Sequence, residues 1–402
     1  MSEMHIIVGA GQAGGWAAMG MRQAGFTGRI LLIGEEPWRP YERPPLSKAM
    51  LTAPEEPPPA YFHPAERYAE QGIELMLGAA VEEIMPTERR IRLRGGDRLA
   101  YDKLLIATGG RARRLPVHGG EHALYLRTLD EARAIRVRLR EARRVVCIGA
   151  GVIGLEIASS ACALGAQVTV LEALAAPMGR CVSPEGARFV ERLHAGAGVE
   201  LRCGEIVQAI ERDGGSFRVI CRDGVEESAD LVLAGVGMER NLMLARDAGL
   251  VLEGGIVVDE HGATSEPGIY AAGDVAAFYH PLYGRRLRLE SWRHAQNHGL
   301  AVGRAMAGDP APYEDVPWFW TDQHGVNLQV AGLPAEAART IVRVDNDKAF
   351  TAAHLVEDGT IIGLTAANAP RDIRAATAMI RAGRRPDPAR LADPAIPLQS
   401  VQ

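Results

Sequence analysis

No two cysteines in this chain are spaced as C-x-x-C, and the five present (Cys147, Cys162, Cys181, Cys203, Cys221) are odd in number. This argues against a disulfide framework or a Cys-type zinc site and suggests small core or surface thiols in a reducing cytoplasm. The eleven histidines show no metal-ligand spacing, so no metal is expected. Neither sign of charge dominates: 45 Lys and Arg against 50 Asp and Glu leave a net −5, which gives no support to nucleic-acid binding. No apolar run approaches the roughly 20 residues that span a bilayer, so no membrane segment is expected. The start, MSEMHIIVGAGQAGG, turns glycine-rich without a basic stretch and is not expected to be a signal peptide. A globular chain of two or three domains remains, 47% apolar and 24% charged over 402 residues.

What the chain does contain is a repeat. HIIVGAGQAGGWAAMGMRQAGFTGRILLIGEE (5–36) is echoed by RVVCIGAGVIGLEIASSACALGAQVTVLEA (144–173). Each copy reads as an apolar strand, a glycine turn, a small-residue helix and a second strand ending at an acid, which is one βαβ unit. YDKLLIATGG (101–110) and ADLVLAGVG (229–237) follow as buried strands ending in glycine. The expected class is therefore α/β: two Rossmann-like modules plus a C-terminal α+β domain. The division is 1–112 with 240–315, then 113–239, then 316–402. Thr128 and Glu131 form a capping box that starts a helix over 129–142. TAPEEPPPA (52–60) reads as a proline-rich loop. Short β-like runs (VNLQVAG, TIVRV, AAHLV, IIGLTAA) follow residue 315, then a helix over 370–382 and a loosely ordered tail, RRPDPARLADPAIPLQSVQ.

In the first module Gly9, Gly11 and Gly14 supply a tight turn, a close backbone approach and a helix–strand contact. The helix N-terminus then offers N–H groups to a pyrophosphate. Glu35 sits at the end of the next strand, where a carboxylate accepts from ribose hydroxyls; Glu36 is equivalent by spacing. The second module has Gly149, Gly151, Gly154 and Glu172. A carboxylate at Glu172 repels a 2′-phosphate, so NADH is expected over NADPH. Two dinucleotide modules in one chain imply electron transfer between two dinucleotides: FAD in the first, NAD in the second. AAGDV (271–275) supports this, with Gly273 ending a strand and Asp274 suited to a flavin ribityl chain.

RPPLSK, LIATGG, YLRTLDEA, GAGVIGLEIA, ESWRHAQNHG and PWFWTDQ, in that order, resemble the FAD-dependent pyridine-nucleotide oxidoreductases of glutathione-reductase-like architecture. Among them the chain is similar to NADH:ferredoxin reductases that serve Rieske oxygenases and haem-thiolate monooxygenases. The resemblance implies flavin contacts at Ala13, Glu35, Arg43, Pro45, Lys48, Val81, Thr108, Gly109, Arg127, Gly273, Asp274, Trp292 and Trp320. For NAD it implies Gly149, Gly151, Ile153 and Gly154, Glu156 beside the nicotinamide, Glu172 on the ribose, and Gly237 lining the cleft. It also sets Trp318 and Trp320 at the flavin edge, where a [2Fe-2S] ferredoxin is received. In GMERN (237–241), Glu239–Arg240 stands where relatives often carry a proline.

Disulfide reductases of this architecture carry a redox cysteine soon after the first βαβ unit. Here that region is YERPPLSKAML, without cysteine, so electrons must leave the flavin directly. Lys48 and Glu156 are the expected catalytic pair: Pro44 and Pro45 would hold the chain extended past the flavin, Ser47 would help start the next helix, and Lys48 would meet Glu156. Arg285, Arg286, Arg288 and Arg293 suggest a docking patch for an acidic ferredoxin. Alternatives are an NADH-responsive flavoprotein resembling apoptosis-inducing factor, or rubredoxin or monodehydroascorbate as acceptor. A monomer and a homodimer are both compatible with these features.

Overall fold

Strands rich in Ile, Leu and Val that lack polar alternation belong in a sheet covered on both faces. In the computed structural model, which describes residues 2–401, they form two such sheets in two compact units. The first unit comprises the chain up to Glu42 together with Pro59–Arg111 and Glu239–Asp315. The second comprises Arg43–Pro58, Ala112–Met238 and the chain from Val316 onward.

In the first unit a five-stranded parallel sheet has the order Ile269–Ala271, Lys103–Ile106, Met4–Val8, Arg29–Gly34, Ile73–Leu77. The helix Gln12–Gln23 buries Ala13, Gly14, Gly15, Ala17, Ala18 and Gly20. Those small residues let it cross the helix Trp292–Met306 backbone to backbone. A Cβ on Gly299 would lie 2.3 Å from Ala13 O, and one on Gly303 2.2 Å from Ala17 O. Two smaller three-stranded sheets complete this unit.

The second unit repeats the theme. Its parallel sheet runs Glu200–Cys203, Gln167–Glu172, Arg144–Ile148, Leu231–Ala234, Leu124–Tyr125. Thr128 and Glu131 close the expected capping box on the helix Leu129–Glu141. The four β-like runs after residue 315 all become strands of an antiparallel sheet ordered Trp318–Gln323, Val326–Gly332, Ile361–Ala367, Phe350–Leu355, Arg339–Asp345. The helix Pro370–Arg381 packs on it through Ile373, Ala376, Met379 and Ile380. The α/β class with a C-terminal antiparallel layer is thus as the sequence indicates.

Three expectations fail. The tail is not loose: Leu391, Leu398 and Val401 are at most 3% exposed, and the buried Arg343 guanidinium donates to the carbonyls of Leu391 and Ile396. Apolar side chains spaced between prolines dock a segment whose composition reads as linker. The PPLS segment is also not extended. Pro44–Ser47 forms a 3₁₀ turn, because the fixed φ of proline suits the start of a helical turn as well as an extended chain. Ser47 does not cap the following helix Ala49–Thr52; its hydroxyl is used elsewhere, as described below. Among the described residues no helix is long and apolar enough to cross a membrane.

Candidate functional site

The two glycine turns have the same geometry. Gly9 (φ 116°) and Gly149 (φ 99°) occupy backbone that excludes side chains. A Cβ on Gly14 would sit 1.9 Å from Gly9 O, and one on Gly154 2.0 Å from Gly149 O, so both third glycines are helix–strand contacts. The middle glycines differ in kind. A Cβ on Gly11 would meet nothing within 4 Å, and one on Gly151 only Gly235 O at 3.8 Å. Each middle glycine is also the N-cap of its helix, with no side-chain cap and no acid in the first turn. Free N–H groups facing open space beside a glycine are what a pyrophosphate requires.

In the first unit a Cβ on Gly273 (φ 76°) would lie 2.7 Å from the Ala13 methyl, so the GDV turn sits against the first turn of the glycine helix. Arg240, the departure noted in GMERN, donates from Nε to Asp274 O at 2.8 Å and pairs with Glu290 at 2.5 Å. That arginine therefore braces the turn. Thr108 and Asn241 exchange hydrogen bonds (3.1 and 2.9 Å), and Asn241 N–H donates to Gly109 O at 3.0 Å. Glu35 is exposed beside Arg94 at 3.5 Å, whereas Glu36 accepts from Tyr41 Oη at 2.6 Å. Of the two acids, Glu35 is the one whose carboxylate faces solvent. Val81 is half-buried at the start of the strand Val81–Met85. Trp292 starts the helix Trp292–Met306 and donates to Glu42, whose carboxyl is pushed up by burial despite that bond. Arg285, Arg286, Arg288 and Arg293 are all exposed, with Arg286 3.6 Å from Glu253.

In the second unit Glu172 accepts from Ala150 N–H at 2.6 Å and from Leu174 N–H at 2.8 Å, tying the strand end to the glycine turn. Ile153 is exposed on the first turn of its helix, and Gly237 has φ 106°. Lys48 and Glu156 meet as expected: Nζ lies 2.8 Å from Glu156 Oε2, with the carboxylate 3% exposed. Lys48 Nζ also donates to Pro44 O at 3.2 Å, a bond made possible by the 3₁₀ turn. Arg43 donates to Arg127 O, while Arg127 N–H donates to Glu131 at 2.8 Å. Trp318 and Trp320 project from one face of their strand with ring centroids 5.3 Å apart, both half-buried. Thr321 and Gln323 point the other way and are buried.

Three groups escaped the sequence reading. Ser47 and Thr321 both donate to Glu156, and Glu42 receives the Trp292 indole. Period-two alternation in WFWTDQ was the available signal for Thr321, since it sets Thr321 opposite the tryptophans.

Residues 4–299 match the family model described as pyridine nucleotide-disulphide oxidoreductase, and 318–402 match that of the reductase C-terminal domain. The chain belongs to the pyridine nucleotide-disulphide oxidoreductase family. This family uses FAD and NAD(P)H. Within it, the chain is 41% identical over 376 residues to the 3-phenylpropionate/cinnamic acid dioxygenase ferredoxin–NAD(+) reductase component of Photorhabdus laumondii, covering 93% of this chain and 95% of that one. The ferredoxin reductase for the CYP199A2 system from Rhodopseudomonas palustris superposes with a TM-score of 0.95 at 36% identity, covering 99% of both chains. The reductase in a covalent putidaredoxin reductase–putidaredoxin complex superposes with a TM-score of 0.93 at 36% identity, over 99% of this chain and 97% of that one. Unlike the disulphide chemistry in the family's name, all five cysteines here are free thiols, and none precedes Cys147.

Proposed function

We propose that this protein is an NADH:ferredoxin reductase of an oxygenase system, a Rieske dioxygenase or a haem-thiolate monooxygenase, working in the cytoplasm. The observation that carries this reading is the doubled glycine turn with open middle glycines, joined to a half-buried Lys48 paired with the buried Glu156 and no cysteine relay. Relatives named as ferredoxin reductases over essentially the whole chain support it. Bound FAD would supply the chemistry, accepting a hydride from NADH and releasing electrons singly.

The residues of this chain bind and orient. Gly9, Gly11, Ala13 and Gly14 would hold the FAD pyrophosphate, Glu35 its ribose, and the Gly273–Asp274 turn its ribityl chain. Arg43, Pro45, Val81, Thr108, Gly109, Arg127, Trp292 and Trp320 would complete that set. Gly149, Gly151, Ile153, Gly154 and Gly237 would hold NAD. The FAD domain of this reading is 1–112 with 240–315, the NAD domain 113–239, and the C-terminal domain 316–402.

Glu172 would meet the adenosine ribose and reject a 2′-phosphate. Glu172→Gln removes the charge and gives up one of the two backbone N–H bonds that the carboxylate oxygens accept, and kcat/KM for NADPH relative to NADH should rise about tenfold. Steady-state kinetics with both nucleotides checks this; an unchanged ratio removes Glu172 from specificity.

Trp318, Trp320 and the arginines at 285, 286, 288 and 293 would receive an acidic [2Fe-2S] ferredoxin. The test is stopped-flow bleaching of the flavin by NADH, then ferredoxin-dependent cytochrome c reduction from 50 to 500 mM salt. Fast bleaching followed by ferredoxin-dependent turnover that falls at least tenfold with salt supports both the function and the docking patch. Bleaching without ferredoxin-dependent turnover would favour the NADH-responsive alternative, and turnover indifferent to salt would remove the arginines from docking.

A further inference from the structure

The Glu156 carboxylate receives four donors. Lys48 Nζ and Ser47 Oγ reach Oε2; Thr321 Oγ1 (2.7 Å) and Asp322 N–H (3.4 Å) reach Oε1. Thr321 is the end of a longer line. Its oxygen accepts from Gln323 Nε2 at 3.0 Å, Gln323 Oε1 faces His194 Nε2 at 2.8 Å, and His194 Nδ1 faces His324 Nε2 at 3.1 Å. Thr321, Gln323 and His194 are at most 2% exposed.

One proton assignment satisfies this line. An ionised Glu156 only accepts, so Thr321 donates to it and takes its own hydrogen bond from the Gln323 amide. Gln323 Oε1 is then an acceptor, which makes His194 Nε2 the donor. A neutral His194 leaves Nδ1 to accept from His324 Nε2–H. Burial holds His194 neutral, its pKa lowered to about 4. Every donor in the line points towards the carboxylate, the arrangement in which successive hydrogen bonds polarise one another.

The line is also mechanically fixed. His324 (φ 49°) and Gly325 (φ 76°) form the two-residue turn between the strands Trp318–Gln323 and Val326–Gly332, in the left-handed backbone such hairpins favour. His324 N–H donates to Ser159 Oγ at 2.8 Å, on the same helix as Glu156. Gln323 Nε2 also approaches Met178 Sδ at 3.9 Å, and Met178 N–H donates to Ala150 O at 2.9 Å in the second glycine turn. The C-terminal hairpin is thereby hydrogen-bonded to the glutamate, its helix and the loop beside the glycine turn.

We propose that Thr321 is a positioning residue: backed by Gln323 and His194, it holds the Glu156 carboxylate aimed at Lys48 and so keeps that pair competent for flavin reduction. The link to flavin reduction rests on the function proposed above. Thr321→Val keeps the volume and loses the hydroxyl, whereas Thr321→Ser keeps the hydroxyl and loses a methyl. In stopped-flow reduction of the FAD-loaded protein, Thr321→Val is expected to lower the limiting rate about tenfold, with half-saturating NADH changed less than about twofold. Thr321→Ser should keep most of the rate. A residue that merely fills space would show the reverse order, which overturns the proposal, as does a normal rate in Thr321→Val.

A second readout does not depend on turnover. The chain has only three lysines, Lys48, Lys103 and Lys348. Under limiting acetic anhydride, with peptide masses read out, Lys48 labelling relative to the other two should rise several-fold in Thr321→Val and stay unchanged in Thr321→Ser. Unchanged Lys48 labelling in Thr321→Val overturns the positioning role. A wild-type protein that NADH does not reduce overturns the proposed function instead, and the labelling pattern then decides the role of Thr321 by itself.

Discussion

Replacing Lys48 by Met should slow reduction of bound FAD by NADH about 100-fold, a barrier increase of about 2.7 kcal/mol, while FAD stays bound. The change removes a cation fixed by Glu156 Oε2 at 2.8 Å and Pro44 O at 3.2 Å. An ammonium has three protons, and these two contacts leave one for a bound group. Glu156 would still receive Ser47 and Thr321, although its buried carboxylate loses its counter-ion. Cofactor retention follows because Gly9, Gly11 and Gly14, the proposed pyrophosphate site, do not involve Lys48. Stopped-flow bleaching of the flavin band and the FAD-to-protein absorbance ratio measure the two parts. A variant reduced at the normal rate removes Lys48 from the chemistry.

The second large effect is acid sensitivity. His194, His294 and His354 are pushed from 6.5 to about 4 by burial, and burial drives His298 well below 6.5. Around His294 and His298 lie His280, Asp274, Asp315 and Tyr313; His324 adjoins His194, and Glu185 acts on His354. Because the folded state holds these rings neutral, the unfolded chain binds more protons below pH 6.5. Their contribution is complete above that pH and is lost as pH falls towards 4. These shifts together amount to several kcal/mol, a substantial share of the stability of a domain. Urea midpoints should therefore be nearly flat from pH 7.5 to 6.5 and fall steeply between 6 and 4.5. Circular dichroism at each pH tests this, and a midpoint constant down to pH 4.5 contradicts it.

The tail reads as linker because four prolines and several charges dominate its composition, yet three apolar residues and the Arg343 guanidinium anchor it. Pro44–Pro45 shows the same gap between local and tertiary information. Proline fixes φ alone, and the neighbouring contacts choose ψ, here towards a 3₁₀ turn that brings Pro44 O to Lys48. By contrast, Gly14 and Gly154 were legible from spacing, since a helix packed against its own strand admits no side chain there.

Sequence by itself therefore determined the two βαβ modules, the parallel sheets, the capped helix Leu129–Glu141 and four of the five strands of the C-terminal layer, all of which follow from short-range periodicity and glycine sterics. It also brought Lys48 and Glu156 into consideration as a pair through family resemblance. Only the tertiary structure decided that Ser47 and Thr321 complete the Glu156 site, that Arg240 braces the Asp274 turn, and that a buried Thr–Gln–His line stands behind them. Those contacts join residues up to 165 positions apart. No local pattern encodes them, because partners for a buried polar group are set by packing across the fold.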